Sequence, residues 1–241
     1  MLHRLLRYRL MFACAIPAHY LAAQTVASLL SGRVTSQAGN PVRAIVSIQP
    51  AGPLGFPSGG PLRILALADG TFILRGLRAG KYSVCTQIPA SEVQRNSYFL
   101  DTCEWASAAT PLQLSAGQGT AGLTVMAPQG ALLQVQVLDP EHLLPPVTAV
   151  KGPPLLEPQL QLTIRGSDRI VHHLHFASQN SAGRSYQTIV PLSTPLNLRI
   201  QSSVASAFDQ TGALVSGDLP TQAVSGAALP LLTFTLHTPG N

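Results

Sequence analysis

The chain is predicted to be all-β, with two β-sandwich domains in tandem behind a signal peptide. Three observations predict this. Apolar residues recur at every second position from Leu29 onward, not every third or fourth. The 20 Gly and 20 Pro break 241 residues into short segments with many turns, which leaves little room for long helices. Hydrophobic residues make up 46% of the chain, enough for real cores. Charged residues are only 10%, against about a quarter in an average protein, so the surface must be covered by Ser, Thr, Gln, Gly and Pro.

Residues 1–27 read as the signal peptide. Arg4, Arg7 and Arg9 form a basic start, Leu10 to Ala18 a short apolar stretch, and Leu21-Ala22-Ala23-Gln24 a small-residue cleavage site. The apolar stretch falls short of the roughly 20 residues a membrane span needs, so no transmembrane segment is expected after cleavage. Cleavage removes three arginines, and the formal charge of +5 therefore overstates a nearly neutral mature protein. No Lys/Arg cluster follows Arg9, which argues against a nucleic-acid partner. Of three cysteines, Cys85 and Cys103 remain, and in an exported chain they read as one disulfide.

The first series of strands occupies 28–128. Val42, Ala44, Val46 and Ile48 alternate along a strand entered through Asn40-Pro41, and Ala51 to Pro61 reads as a long Gly/Pro-rich loop. Leu62 to Leu67 and Thr71 to Leu74 flank Asp69-Gly70, the signature of a tight hairpin. Gly80 to Thr86, Leu112 to Ser115 and Leu123 to Met126 complete the series. A Pro/Gly step at Pro128-Gln129-Gly130 separates it from a second series over 129–241. There Leu133, Val135 and Val137 alternate with glutamines, and Asp139 to Pro158 is a Pro-rich connection. Strand signals follow at Leu160 to Ile164, Ile170 to Phe176, Tyr186 to Leu192, Leu196 to Ile200 and Leu231 to Leu236.

Residues 31–84 resemble the carboxypeptidase regulatory-like family. The resemblance runs through Gly32-Arg33-Val34, Gly39-Asn40-Pro41-Val42 and Ala44-Ile45-Val46, then Asp69-Gly70-Thr71-Phe72, Leu74, Gly76-Leu77, Gly80 and Tyr82-Ser83-Val84. It covers less than a quarter of the chain, and the Ala51 to Pro61 insertion departs from it. It implies a small transthyretin-like sandwich, grouped with carbohydrate-binding-like folds, with no catalytic residues to transfer. It also implies that Tyr82 and Val84 point inward. Cys85 would then point outward, and the Cys85–Cys103 bond is expected as a staple on the outer face or edge. Val46, Ile48, Phe72 and Leu74 are expected in the same core as Tyr82 and Val84.

Chemistry is sparse. His172-His173-Leu174-His175 would place His173 and His175 on one strand face, as metal ligands often are. Asp168 is the only nearby carboxylate and no HExxH spacing occurs, which favours a solvated strand face. Asp101 with Glu104, and Asp139 with Glu141, read as turn or surface acids; the alternative is weak calcium binding by either pair, though neither forms an EF-hand loop. No G-x-S-x-G or S-x-x-K motif is present, so catalytic residues, cofactor and metal are all expected to be none. Trp105 with Tyr98 and Phe99 surrounds the cystine. These rings either stack on a sugar or grip a partner, or Trp105 packs on the disulfide and closes the sandwich edge.

The function expected is that of an exported, non-catalytic binding or structural module of the periplasm or cell surface, with a protein or glycan partner. The alternative is a carbohydrate-binding protein using Trp105, Tyr98 and Phe99. A metal-dependent hydrolase using the His172–His175 cluster stands third. The intact mass of the exported form is expected to begin near Gln24 or Ser28. Recovery of only full-length cytoplasmic protein would remove the export reading.

Overall fold

The computed structural model describes residues 28–51, 61–89, 98–105, 108–115, 117–147, 159–166, 170–222 and 229–239. The expected signal peptide, most of the Ala51 to Pro61 loop and the end of the Pro-rich connection lie outside the described residues. Every named element is a strand. Among the described residues no helix is long and apolar enough to cross a membrane.

The first series builds two sheets. One is made from β1 (Ser28–Thr35), β4 (Thr71–Leu77) and β7 (Thr120–Met126), in the order β4-β1-β7. The other contains β2 (Ile45–Pro50), β3 (Leu62–Leu65), β5 (Gly80–Gln87) and β6 (Thr110–Leu114), in the order β3-β2-β5-β6. Period-two strands send alternate side chains to opposite faces. Accordingly Leu30, Val34, Val46, Ile48, Phe72, Leu74 and Val84 meet in one buried core, with Tyr82 packed on it as a partly buried residue. The Tyr82 hydroxyl donates to the Arg78 carbonyl at 2.8 Å and ties the β4–β5 turn to the sheet.

The Asp69-Gly70 turn corrects the hairpin expectation. The turn itself forms: Gly70 has φ of 80°, and Asp69 Oδ1 accepts from the Thr71 amide at 3.0 Å and its hydroxyl at 2.7 Å. Its arms separate, however. β3 pairs with β2, and the Ala66 amide continues that ladder to the Ala44 carbonyl at 2.8 Å. β4 pairs with β1, and the Val34 amide reaches the Gly70 carbonyl at 2.8 Å. The turn therefore carries the chain from one sheet to the other.

The second series makes the opposing sheets β10-β9-β13-β15 and β11-β12-β8-β16-β14. Their strands are β8 (Gly130–Leu138), β9 (Leu160–Arg165), β10 (Val171–His173), β11 (His175–Asn180), β12 (Gly183–Pro191), β13 (Pro195–Ser202), β14 (Ser206–Phe208), β15 (Leu219–Gln222) and β16 (Leu232–His237). Leu133, Val135 and Val137 of β8 are fully buried at the centre. The single strand expected from Ile170 to Phe176 is broken at Leu174. β10 joins β9, β11 joins β12, and Leu174 binds the Leu162 carbonyl between them at 3.0 Å. The three-residue β14 and the Pro-containing edge strand β15 were not expected from periodicity; an edge tolerates Pro because one side needs no donor.

Both sandwiches close alike. β1 runs parallel to β7, and β8 runs parallel to β16. The last strand is anchored by Glu141, whose carboxylate accepts from His237 Nδ1 at 2.8 Å and from the Thr238 amide at 3.0 Å. These bonds, the Thr238 hydroxyl's first, hold Glu141 down at about 2. Core membership does not divide where the sheets do: Leu100 and Trp105, from the first series, belong to the second core.

Gly32 sits where β1 meets β7 beneath a ring. A Cβ there would strike the Leu123 carbonyl oxygen and approach Phe72 Cζ to 2.6 Å, whereas one at Gly217 would meet nothing within 4 Å. Gly32→Ala is expected to cost about 1–3 kcal/mol in denaturant unfolding through overpacking. Gly217→Ala should stay within about 0.5 kcal/mol of wild type. Equal effects would show that this close approach is not a constraint.

Candidate functional site at the junction of the sandwiches

β5 outlasts its neighbour β6. Their register ends at Val84↔Thr110, leaving the end of β5 without that partner. Thr102 takes the place. Its amide donates to the Thr86 carbonyl at 3.0 Å, the Thr86 amide donates to the Thr102 hydroxyl at 2.6 Å, and the two hydroxyls lie 3.1 Å apart. Both threonines are buried, so these bonds satisfy groups that water cannot reach. The next residue, Cys103, is disulfide-bonded to Cys85, with Cα atoms 4.9 Å apart. Cys85 lies on the face opposite Val84, as parity requires, but is only 3% exposed. The staple is on the expected face and is buried rather than exposed, because residues 98–105 run over it.

The same segment then turns into the second sandwich. Asp101 Oδ1 accepts from the amides of Cys103 at 2.8 Å and Glu104 at 3.1 Å, and the Trp105 amide donates to the Asp101 carbonyl at 3.0 Å. This tight turn directs Trp105 into the second core at 2% exposure. Its indole Nε1 donates to the Ile189 carbonyl at 3.1 Å. Ile189 lies beyond Gln187, where the β11–β12 register ends, so the indole serves a strand whose neighbour has stopped. The ring stacks on His172, with centroids 3.8 Å apart and planes 25° apart. At its other end the strap joins the chain crossing between the sandwiches: the Leu100 amide donates to the Pro128 carbonyl at 2.9 Å and the Gly130 amide to the Tyr98 carbonyl at 2.6 Å.

Trp105 is therefore not an exposed sugar platform. Nor does it close the edge of its own sandwich, since its core is that of the second. Tyr98 and Phe99 remain partly exposed and line a cleft of about 570 Å³ between the sandwiches. Gln87 and Ile88 form one wall, His175 and Gln187 the other, and Asp101 and Glu104 also face it. A hollow of about 620 Å³ is lined by Phe99, Ser36, Arg43 and Gln129, with no carboxylate among its described lining residues.

The histidines part company. His172 is 3% exposed against Trp105, whereas His173 and His175 end up on different sheets because the chain crosses at Leu174. The shared strand face expected of His173 and His175 does not exist. Among the described residues no group of three or more His, Cys, Asp or Glu is placed to hold a metal. Glu104 Oε1 lies 3.7 Å from His172 Nδ1. Burial, and then the charge of Asp101, push the Glu104 carboxyl up to about 7. The Trp105–His172–Glu104 grouping had no signal in the sequence, because its members come from separate strands and loops with no spacing rule between them.

No family model matches the chain, and no curated protein matches it. Among solved structures, the minor pilin GBS52 of Streptococcus agalactiae is 9% identical over 89% of this chain and 97% of that one, with a TM-score of 0.38. A streptococcal ancillary pilin is 9% identical over 89% of this chain and 63% of its own, with a TM-score of 0.36. The TIE protein of Bacillus anthracis is 12% identical over 88% of this chain, with a TM-score of 0.33. The chain spans about a third of the length of the TIE protein, 34%. Likeness at this level carries no functional assignment.

Glu104 supplies a pH test. Its folded-state pKa lies above the ordinary 4.5, so its stabilising contribution is full below 4.5 and is lost as pH rises through about 7. Glu104→Gln, which keeps the shape of the protonated acid, is expected to melt with wild type near pH 4.5 and above it near pH 8. A pH-independent difference in melting temperature would refute this placement of the carboxyl.

Proposed function

We propose that this chain is an exported, non-catalytic binding or structural module of the periplasm or cell surface, whose two sandwiches are held as one unit by the 98–105 strap. One observation carries the reading: a single strap is disulfide-bonded to the first sandwich at Cys103 and buried in the core of the second at Trp105. Tandem domains ordinarily move about their linker unless the contact between them is large and apolar. The strap adds a second tie beside the crossing at 127–129, covalent at its Cys103 end and held in the second sandwich by the packing of Trp105, and this tie opposes such motion. A cystine persists in oxidising compartments, which agrees with export. We retain the carboxypeptidase regulatory-like resemblance for the first sandwich and two domains meeting near 127–131 as parts of this proposal. Glycan binding remains the second reading. It now rests on Tyr98 and Phe99 in the cleft, and a polysaccharide pull-down with Tyr98→Ala/Phe99→Ala tests it.

Melting with variants tests the principal reading. Wild type is expected to unfold in one transition. Cys85→Ser/Cys103→Ser loses about 3 kcal/mol of chain-entropy stabilisation, less any native strain. Trp105→Ala loses about 3–5 kcal/mol, felt first in the second sandwich. Each variant should separate the unfolding into two transitions and increase proteolysis between Gln87 and Thr102. A cystine-free variant that keeps one transition and the wild-type scattering envelope would show that the strap does not couple the sandwiches.

A further inference from the structure

Glu104 is a carboxyl at the junction with no side-chain hydrogen bond among the described residues. Its side chain is 27% exposed, and among the described residues the basic group paired with it, His172 Nδ1, stands at 3.7 Å, beyond hydrogen-bond range. Asp101 lies beside it and turns its Oδ1 to two backbone amides. Both acids face the same 570 Å³ cleft, whose other described lining residues are chiefly apolar or aromatic. A half-buried carboxylate without a donor is costly, and an incoming cation would relieve that cost. The apolar walls suit an alkyl stem, and Tyr98 and Phe99 offer ring faces to a cation.

We propose that the cleft between the sandwiches binds a lysine or arginine side chain of a peptide segment, with Glu104 as the primary anion and Asp101 beside it. Tyr98 and Phe99 flank the stem, and Gln187 is within the same cleft to meet the peptide backbone. A peptide fits better than a sugar because the lining is mostly apolar and the large indole is withdrawn from it. Once Glu104 is ionised, the negative charge disfavours anionic partners. The site rests on the reading above, since its two walls come from different sandwiches and the strap forms its floor.

The probe is the blocked tripeptide acetyl-Leu-Lys-Leu-amide, with the norleucine analogue as uncharged control, titrated into the oxidised full chain and followed by amide NMR. Saturable shifts at Asp101, Glu104 and Gln187 are expected for the lysine peptide alone. Glu104→Gln should weaken binding about tenfold or more. Near-ultraviolet circular dichroism from Trp105 checks that the variant is folded, and Tyr98→Ala provides a second reading with the carboxylate intact. Affinity should rise with pH through about 7 as Glu104 ionises; Asp101, His172 and His175 are the other titratable groups around it. Equal binding of the norleucine peptide would overturn the proposal. So would shifts with a neutral oligosaccharide but none with the lysine peptide, or shifts with protein concentration alone, which would mark a second copy as occupant. If wild type shows one melting transition and no peptide binding, only the cleft proposal falls.

Discussion

The indole of Trp105 is buried in a core made almost wholly by strands that follow it in the chain. That placement constrains the rest of the junction. The ring reaches the second sandwich from a turn built on Asp101, and the turn is positioned by the bond from Cys103 to Cys85 of β5. The chain crosses between the sandwiches once through 127–129, and the strap supplies a second crossing bonded to the first at Pro128 and Gly130.

The strap sits where backbone groups need partners. β6 stops before the end of β5, and Thr102 serves Thr86; β11 stops before the end of β12, and the Trp105 indole serves Ile189. An unpaired buried backbone group costs about as much as a lost hydrogen bond, so each match stabilises the strap in place. Glu104 is the exception within this well-satisfied segment. Its carboxyl is raised to about 7 because burial is not offset by donors. Perturbed groups of this kind concentrate at functional clefts, and here the perturbed group borders the space between the two sandwiches.

Much of the architecture was legible. The alternation in Val46 and Ile48, and in Leu133, Val135 and Val137, located buried faces because the parity of an extended strand is a local property. The cysteine count pointed to a disulfide, which the structure contains. Less legible were sheet changes. Asp69-Gly70 makes a tight turn whether its arms pair with each other or with opposing sheets, so the turn chemistry alone does not distinguish them. Leu174 interrupts an apolar pattern without changing it, because Leu174 is itself buried between the two sheets.

Local periodicity and turn chemistry thus determined the class of fold, the strands and the inward faces, since each depends on a few neighbouring residues. The tertiary structure decided the destination of Trp105, its stacking on His172 and the exposure of Glu104 to a cleft. Those depend on which strands end early and leave their edges open, and an open edge exists only once the sheets have assembled.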